Sequence, residues 1–406
     1  MGHSSLGLGR RHWAAIFFGA GALAIGACSS PSTGPWLGTA ASSSHASHAR
    51  ALTEPTVAFS FQPVSDTGIH NEVTGVNDES QIVGVYKKAG QYSSFTAQCA
   101  KPLYYIDCSK ATFAPATYEP GPADGTYLNA NDNTNPDSYD AGYVSSPPPQ
   151  STGYVYPCTT CGVLYDERTL HWLTPLLQAP KEGTVNCAVT ELLGINNAKV
   201  AVGFYESPTT ANTSGCKTQA FEEYLFNGRP VFVNFNVPMA SSSIATGIDN
   251  GGNVVGTAIV NGSNGSVLEG WYYHDFNYTT FYVDNSSTQP TGINWAGGIV
   301  GNYTNSGVTH GFLITTDKKH QITPTPEPPY ATIDNGSYGT FVNSIEPSYW
   351  IISGWYQSDS SGGIQGFVGT CTGGCTPSPL SDSSGSKSRG RAKPRTGPTW
   401  PAGSRP

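Results

Sequence analysis

Between residues 58 and 370, short apolar runs alternate with clusters of Gly, Asn, Asp and Ser, and one arrangement of the two recurs. Residues 292–312, GINWAGGIVGNYTNSGVTHGF, read as two short strands about a turn, followed by a third strand. Related stretches begin at Gly75 (GVNDESQIVGVY), Gly194 (GINNAKVAVGFY) and Gly247 (GIDNGGNVVGTA), and a looser one at Phe341 (FVNSIEPSYWIISGWY). A β-branched residue (Val76, Ile195, Ile248, Ile293) precedes Asn or Asp, whose side chains bond their own backbone and tolerate left-handed dihedrals, so a hairpin closes there. Strand-forming pairs such as Ile82-Val83, Val254-Val255 and Ile299-Val300 then lead into a Gly found in every copy. Gly inside a strand marks a bend or the close approach of another backbone.

The third strand appears as Gln219-Ala220-Phe221, Glu269-Gly270-Trp271, His310-Gly311-Phe312 and Gln365-Gly366-Phe367. A fourth short strand follows in several copies, at 231–237 and 280–283. Aligned on the repeated Gly (84, 203, 256, 301, 354), the first gap is about twice the others, so a degenerate copy belongs between Gly84 and Gly203. Residues 127–131, 142–144 and 152–156 supply its three strands, giving six units about 45 to 61 residues apart.

Four short strands per unit of this length predict an all-β fold, a β-propeller of six four-stranded blades. Five or seven blades are the neighbouring counts. The lone strand at 58–64 resembles a fourth strand, and the last unit ends after its third. Pairing the two would complete the last blade and shut the ring, removing exposed edges. The grammar resembles that of bacterial extracellular HAF-repeat proteins, over roughly residues 58–370, with His310-Gly311-Phe312 and Gln219-Ala220-Phe221 in place of the eponymous His-Ala-Phe. The second unit departs from that pattern, as does Pro347 in the last. The resemblance implies an exported repeat protein and brings no reaction or catalytic residues with it.

Composition agrees with many turns and few helices: 48 Gly, 30 Pro and only 12% charged residues. The formal charge of -8 hides a segregation. Residues 51–375 hold 11 basic against 27 acidic side chains, while the segment after Cys375 holds six basic residues against Asp382. An acidic body excludes a nucleic-acid footprint.

The N-terminus supplies an address. Arg10 and Arg11 precede an apolar run at 13–26, short for a membrane span and suited to an export signal. Ile25-Gly26-Ala27-Cys28-Ser29 resembles the lipobox of bacterial lipoproteins, which implies cleavage before Cys28 and lipidation of its thiol. Residues 1–27 are therefore expected to be a lipoprotein signal peptide and 28–56 a Ser- and Pro-rich tether, whose span is roughly 30 Å. Ser29 after the Cys favours the outer membrane or cell surface by the same resemblance. The propeller would occupy 57–375, with a disordered basic tail at 376–406.

Eight cysteines remain besides Cys28, an even number in an exported chain, so disulfides are the expectation. Adjacency suggests Cys99 with Cys108, Cys158 with Cys161, Cys187 with Cys216, and Cys371 with Cys375, although an even count admits other pairings. A zinc site of Cys158, Cys161, Cys371 and Cys375 is the competing use, and a redox role for Cys158 and Cys161 lacks the helix that would lower a thiol pKa. Asn131, Asp132, Asn133, Asp137 and Asp140 form an oxygen-rich loop that reads as a polar turn rather than an EF-hand. No metal and no other cofactor is implied.

Nucleophile, phosphate-loop and paired-His motifs are absent from the sequence. One repeated column stands out two residues before the third-strand aromatic: Ser93, Thr152, Gln219, Glu269, His310 and Gln365. Near-rotational symmetry would set these six in equivalent places around the axis, where they could line one face and bind a polar ligand; the structural alternative is that each bonds a neighbouring blade's loop. Trp271, Tyr272, Tyr273, Tyr278 and Tyr282 suit sugar stacking or packing between blades. The expected function is a non-enzymatic, envelope-anchored, monomeric binding module for a glycan or surface protein, joined to the membrane by its lipid. Alternatives are a polysaccharide hydrolase or lyase with channel carboxylates, and a structural surface protein.

Overall fold

The computed structural model describes residues 57–64, 71–88, 91–100, 106–116, 125–132, 139–145, 160–166, 171–172, 189–208, 216–226, 229–262, 265–317, 321–322, 328, 330–335, 338–347, 349–357 and 363–375. The expected signal peptide (1–27), Cys28, the expected tether and the basic segment at 376–406 fall outside these residues. Among the described residues there are 24 strands and no helix, and they form six four-stranded antiparallel blades of a β-propeller. Blades one to five span 71–116, 125–172, 190–234, 240–281 and 288–333. Blade six comprises the three strands of 340–373 and, as its fourth, Ala58–Val64, which pairs with Ile364–Gly373. Tyr92 and Gly125 add a parallel bridge between blades one and two.

The first strand of each blade is the innermost. These are Asn71–Val76, Gly125–Asn131, Thr190–Ile195, Ala240–Ile248, Thr288–Ile293 and Thr340–Ile345. Each packs against the first strand of the next blade, and the sixth packs against the first. We call the face where these strands begin the upper face, and the face of their hairpin turns the lower face.

The repeated Gly has one geometric cause. Opposite Gly84, Gly142, Gly203, Gly256, Gly301 and Gly354, every first strand carries one extra residue, which bends it and drives a carbonyl toward the Gly. A Cβ on Gly256 would lie 2.0 Å from the Ile244 carbonyl oxygen, and the other five meet the equivalent oxygen at 1.9–2.2 Å. No side chain fits.

The extra residues are Thr74, Asn129, Leu193, Thr246, Thr291 and Asn343, and five of them bond the next blade. Thr74 Oγ1 donates to Leu128 O (2.6 Å), Asn129 Nδ2 to Leu192 O (2.8 Å), Thr246 Oγ1 to Pro290 O (2.7 Å) and Thr291 Oγ1 to Val342 O (2.8 Å). Asn343 Nδ2 donates to Val73 O (3.0 Å), carrying the circlet from blade six to blade one. Leu193 has no donor, so the link from blade three to blade four is missing.

The third strand explains its own motif. The aromatic (Phe95, Trp271, Phe312, Phe367) lies over the repeated Gly of its blade. The small residue before it leaves room for the next blade: a Cβ on Gly270 would meet Pro290, on Gly311 Val342, and on Gly366 Asn71 and Val73. Cys99 is joined to Cys108 and Cys371 to Cys375. Cys161 and Cys216 are also disulfide-bonded, while Cys158 and Cys187 lie outside the described residues. With Cys371 and Cys375 bonded to each other, they are not thiolate ligands of a zinc site.

Candidate functional site

Five members of the repeated polar column are described, and they stand at equivalent places in their blades, away from the axis. Ser93, Gln219, Glu269, His310 and Gln365 sit on third strands, two strands and roughly 10 Å out from the innermost one. Three hold the end of their own blade's fourth strand. Gln219 Nε2 donates to Phe235 O (2.7 Å), Gln365 Nε2 to Val64 O (2.7 Å), and His310 Nδ1 meets Asp334 at 2.9 Å. Thr152 lies outside the described residues; the third strand of blade two is Thr160–Asp166, and Cys161 takes the column's place there, opposite Val144. Trp271 and Tyr272 are buried, and Trp271, Tyr273 and Tyr278 pack in one aromatic group with Phe235. The axis itself is lined by the neutral circlet of Thr, Asn and Leu193.

The unexpected chemistry lies on the upper face. Glu191, next to the bulge in the first strand of blade three, faces the same side as Glu206 at the end of the second strand, and Thr218 is Glu206's cross-strand partner. Glu191 and Glu206 are each 8% exposed and Thr218 is 3% exposed. Burial pushes Glu191 up to about 8, and the neighbouring Glu206 carboxylate adds to the rise. Glu206 is raised to about 7 by burial. Neither has a Lys, Arg or His partner among the described residues. Glu191 Oε2 and Thr218 Oγ1 have no hydrogen-bond partner there either.

Glu72 occupies Glu191's place in blade one and is raised to about 7, although it keeps some solvent contact. Glu223 is fully buried between blades two and three and is likewise raised to about 7. Across the ring the Glu191 column reads Glu72, Tyr127, Glu191, Ile244, Gln289, Phe341. Blade four fills the three positions of Glu191, Glu206 and Thr218 with Ile244, Ile259 and Leu268. Hydrocarbon therefore satisfies the fold at these positions in blade four.

On the lower face, the hairpin turns surround the axis. Asn77, Asn196 and Asn294 each cap their own turn through Oδ1 and bond the next turn through Nδ2, to Asp132 O (2.8 Å), Asp249 O (3.0 Å) and Tyr349 O (3.4 Å). Asp249 caps its turn by accepting from Gly251 and Asn253 at 2.8 Å, as expected of a turn Asp. The residue after the cap is Asp78, Asn197 or Asn250 in blades one, three and four, but Trp295 in blade five. Trp295 N donates to Pro347 O (3.2 Å), which sets it beside the longer turn of blade six and Tyr349. Trp295 is 41% and Tyr349 46% exposed. Phe276, in the outer hairpin of blade four on the same face, is 77% exposed.

The chain matches no protein-family model and no curated protein. Solved structures of similar arrangement include the PQQ-bound aldose sugar dehydrogenase of Streptomyces coelicolor, at 11% identity over 78% of this chain and 99% of that one, with a TM-score of 0.42. Virginiamycin B lyase of Staphylococcus aureus shares 11% over 77% and 99%, with a TM-score of 0.37. The polysaccharide lyase Uly1 shares 10% over 73% and 56%, with a TM-score of 0.30. Likeness this distant bears no weight for activity, and the reading below rests on the chain's own residues.

Proposed function

We propose that this protein is an exported, envelope-anchored propeller that binds a glycan at its lower face. The observation that carries the reading is the pair Trp295 and Tyr349. Two large aromatic rings stand about half exposed on adjacent turns, and Trp295 takes the place that other blades give to Asp78, Asn197 or Asn250, so the turn itself does not require an aromatic there. A flat apolar ring stacks on the carbon face of a sugar, and nearby side-chain amides and carboxylates bond its hydroxyls. The lipobox-like segment ending at Cys28 and the HAF-type grammar support an address outside the cytoplasm, with the tether holding the domain away from the membrane. The disulfides are in keeping with an oxidising compartment.

A glycan array probed with the mature chain tests this. Wild type should retain at least one polysaccharide class, and the double variant Trp295→Ala/Tyr349→Ala should lose it while melting within about 2 °C of wild type, because exposed side chains contribute little to stability. Equal retention by the double variant, or none by wild type, would sink the proposal.

The carboxylate pair favours a second reading, a polysaccharide hydrolase or lyase. At neutral pH a protonated Glu191 could donate, and a partly ionised Glu206 could accept, a proton at a sugar. Release of reducing ends from a polymer, abolished by Glu206→Gln, would support it; absence of release across the polymers retained on the array would remove it.

A further inference from the structure

We propose that Glu191, Glu206 and Thr218 hold a divalent cation of calcium's chemistry at the upper face of blade three. Three observations converge. The two carboxylates and the hydroxyl share one face of one sheet, Glu206 and Thr218 directly opposite each other and Glu191, which pairs with Phe204, diagonally across from Glu206, so long side chains there can converge. All three are more than nine-tenths buried, yet Thr218 Oγ1 and Glu191 Oε2 bond nothing among the described residues. A buried hydroxyl without a partner costs free energy, and its cross-strand neighbour is a carboxylate that also lacks a cationic partner. Blade four supplies the control: Ile244, Ile259 and Leu268 occupy the same three places, so the scaffold tolerates hydrocarbon there.

The donors are all oxygen. Calcium takes about six to eight oxygens at flexible angles, and two bidentate carboxylates with one hydroxyl supply about five, leaving room for water or a backbone carbonyl. Zinc favours nitrogen and sulfur, and magnesium demands near-octahedral order, so calcium fits this set best. Its two positive charges cancel the two carboxylates, which accounts for their being buried together without Lys or Arg. A carboxylate bound to calcium is no longer a proton donor, so occupancy here would argue against the acid–base reading while leaving the lower-face glycan site untouched.

The test is calorimetric titration of calcium chloride into chelator-treated mature protein, beside melts in EDTA and in about 1 mM calcium. Wild type should bind one ion saturably and melt several degrees higher with calcium. Glu206→Gln, which keeps the shape and removes one charge, should lose the calcium-dependent rise while melting at or above wild type in EDTA. The triple variant Glu191→Ile/Glu206→Ile/Thr218→Leu copies blade four and should fold without binding. Absence of saturable heat for wild type, or an unchanged calcium response in Glu206→Gln, would overturn the proposal. A melting point that depends on pH but not on calcium would do the same, and would identify the pair as a proton-sharing site.

Discussion

Asn343 offers a direct measure of what the axial circlet contributes. Its Nδ2 donates to Val73 O at 3.0 Å, joining blade six to blade one across 270 residues of sequence. Asn343→Ala removes the donor and leaves a carbonyl without that partner. A typical hydrogen bond contributes about 1 kcal/mol net, and stranding a buried acceptor costs about 1 to 3 kcal/mol, so the loss should be near 2 kcal/mol. With about 230 described residues and roughly 2.1 cal/mol/K of unfolding entropy each, that corresponds to a melting point lower by about 4 °C. The ring contains its own rescue experiment. Thr fills the same place at 74, 246 and 291 and reaches the next blade's carbonyl at 2.6–2.8 Å, so Asn343→Thr should stay within about 0.5 kcal/mol of wild type. Urea unfolding followed by Trp fluorescence would separate the two variants. Should Asn343→Ala match wild type, or Asn343→Thr be as weak as Asn343→Ala, the circlet contributes nothing and the reasoning fails.

Gly256→Ala sets a Cβ 2.0 Å from the Ile244 carbonyl oxygen, which is backbone and cannot rotate aside, so expression in folded form should be lost or stability should fall by more than about 4 kcal/mol. Gly307, with a φ of +81° and no atom within 4 Å of an added Cβ, should accept Ala with a loss of only about 1 kcal/mol; similar outcomes at the two sites would refute the clash argument. The carboxylates predict a pH profile. Glu191 titrates near 8 when folded against 4.5 as its ordinary value, so the folded chain holds the proton more tightly. In EDTA, stability should therefore be fully present below about pH 4.5 and fall as the pH rises through about 8, with Glu206 steepening the fall near 7. Melts at about pH 5, 6.5 and 8 should show that decline in wild type and a shallower one in Glu191→Gln; a flat or rising wild-type profile would contradict it.

Much of the architecture was legible because strand, turn and Gly each leave a residue-level mark, and the mark repeats. The Gly column signalled a close approach, though only the structure identifies the bulged carbonyl it accommodates. Blade two obscures its third strand because Val163 stands where Phe95, Phe221, Trp271, Phe312 and Phe367 mark the other five blades, so the pattern offers Thr152 in place of Cys161. The polar column of third strands takes equivalent places in its blades, as rotation symmetry requires, but its distance from the axis was not legible, because that depends on which strand is innermost. Gln219 and Gln365 then proved to hold their own blade's fourth strand. Glu72 and Glu191 were missed because a single Glu in a strand looks solvent-facing. The usable signal was the column itself, in which Ile244 and Phe341 show that the position is enclosed.

The six seams of the ring are not equivalent, and this connects the scaffold to the candidate chemistry. The turn caps alternate amide and acid: Asn77, Asp132, Asn196, Asp249, Asn294, Glu346. Only the amide side chains carry a donor for the following turn, and among the described residues they tie blade one to two, three to four and five to six. At the axis the circlet ties every seam except three to four, where Leu193 stands. That seam is held instead by Asn196, by Asn197 N bonding Asn250 Oδ1 at 3.0 Å, and by Ala220 N donating to Ser243 Oγ at 3.3 Å. Glu191 lies two residues before Leu193 on the same strand. A cation drawn to Glu191, Glu206 and Thr218 would clamp the first three strands of blade three together beside the one seam that lacks an axial bond. Stability gained on binding calcium should then exceed in blade three what the same residues would yield if transplanted into blade five, where Thr291 already bonds Val342 O at 2.8 Å. Placing Glu at Gln289 and Thr304, with Thr309 already opposite Thr304, would build that comparison within one chain.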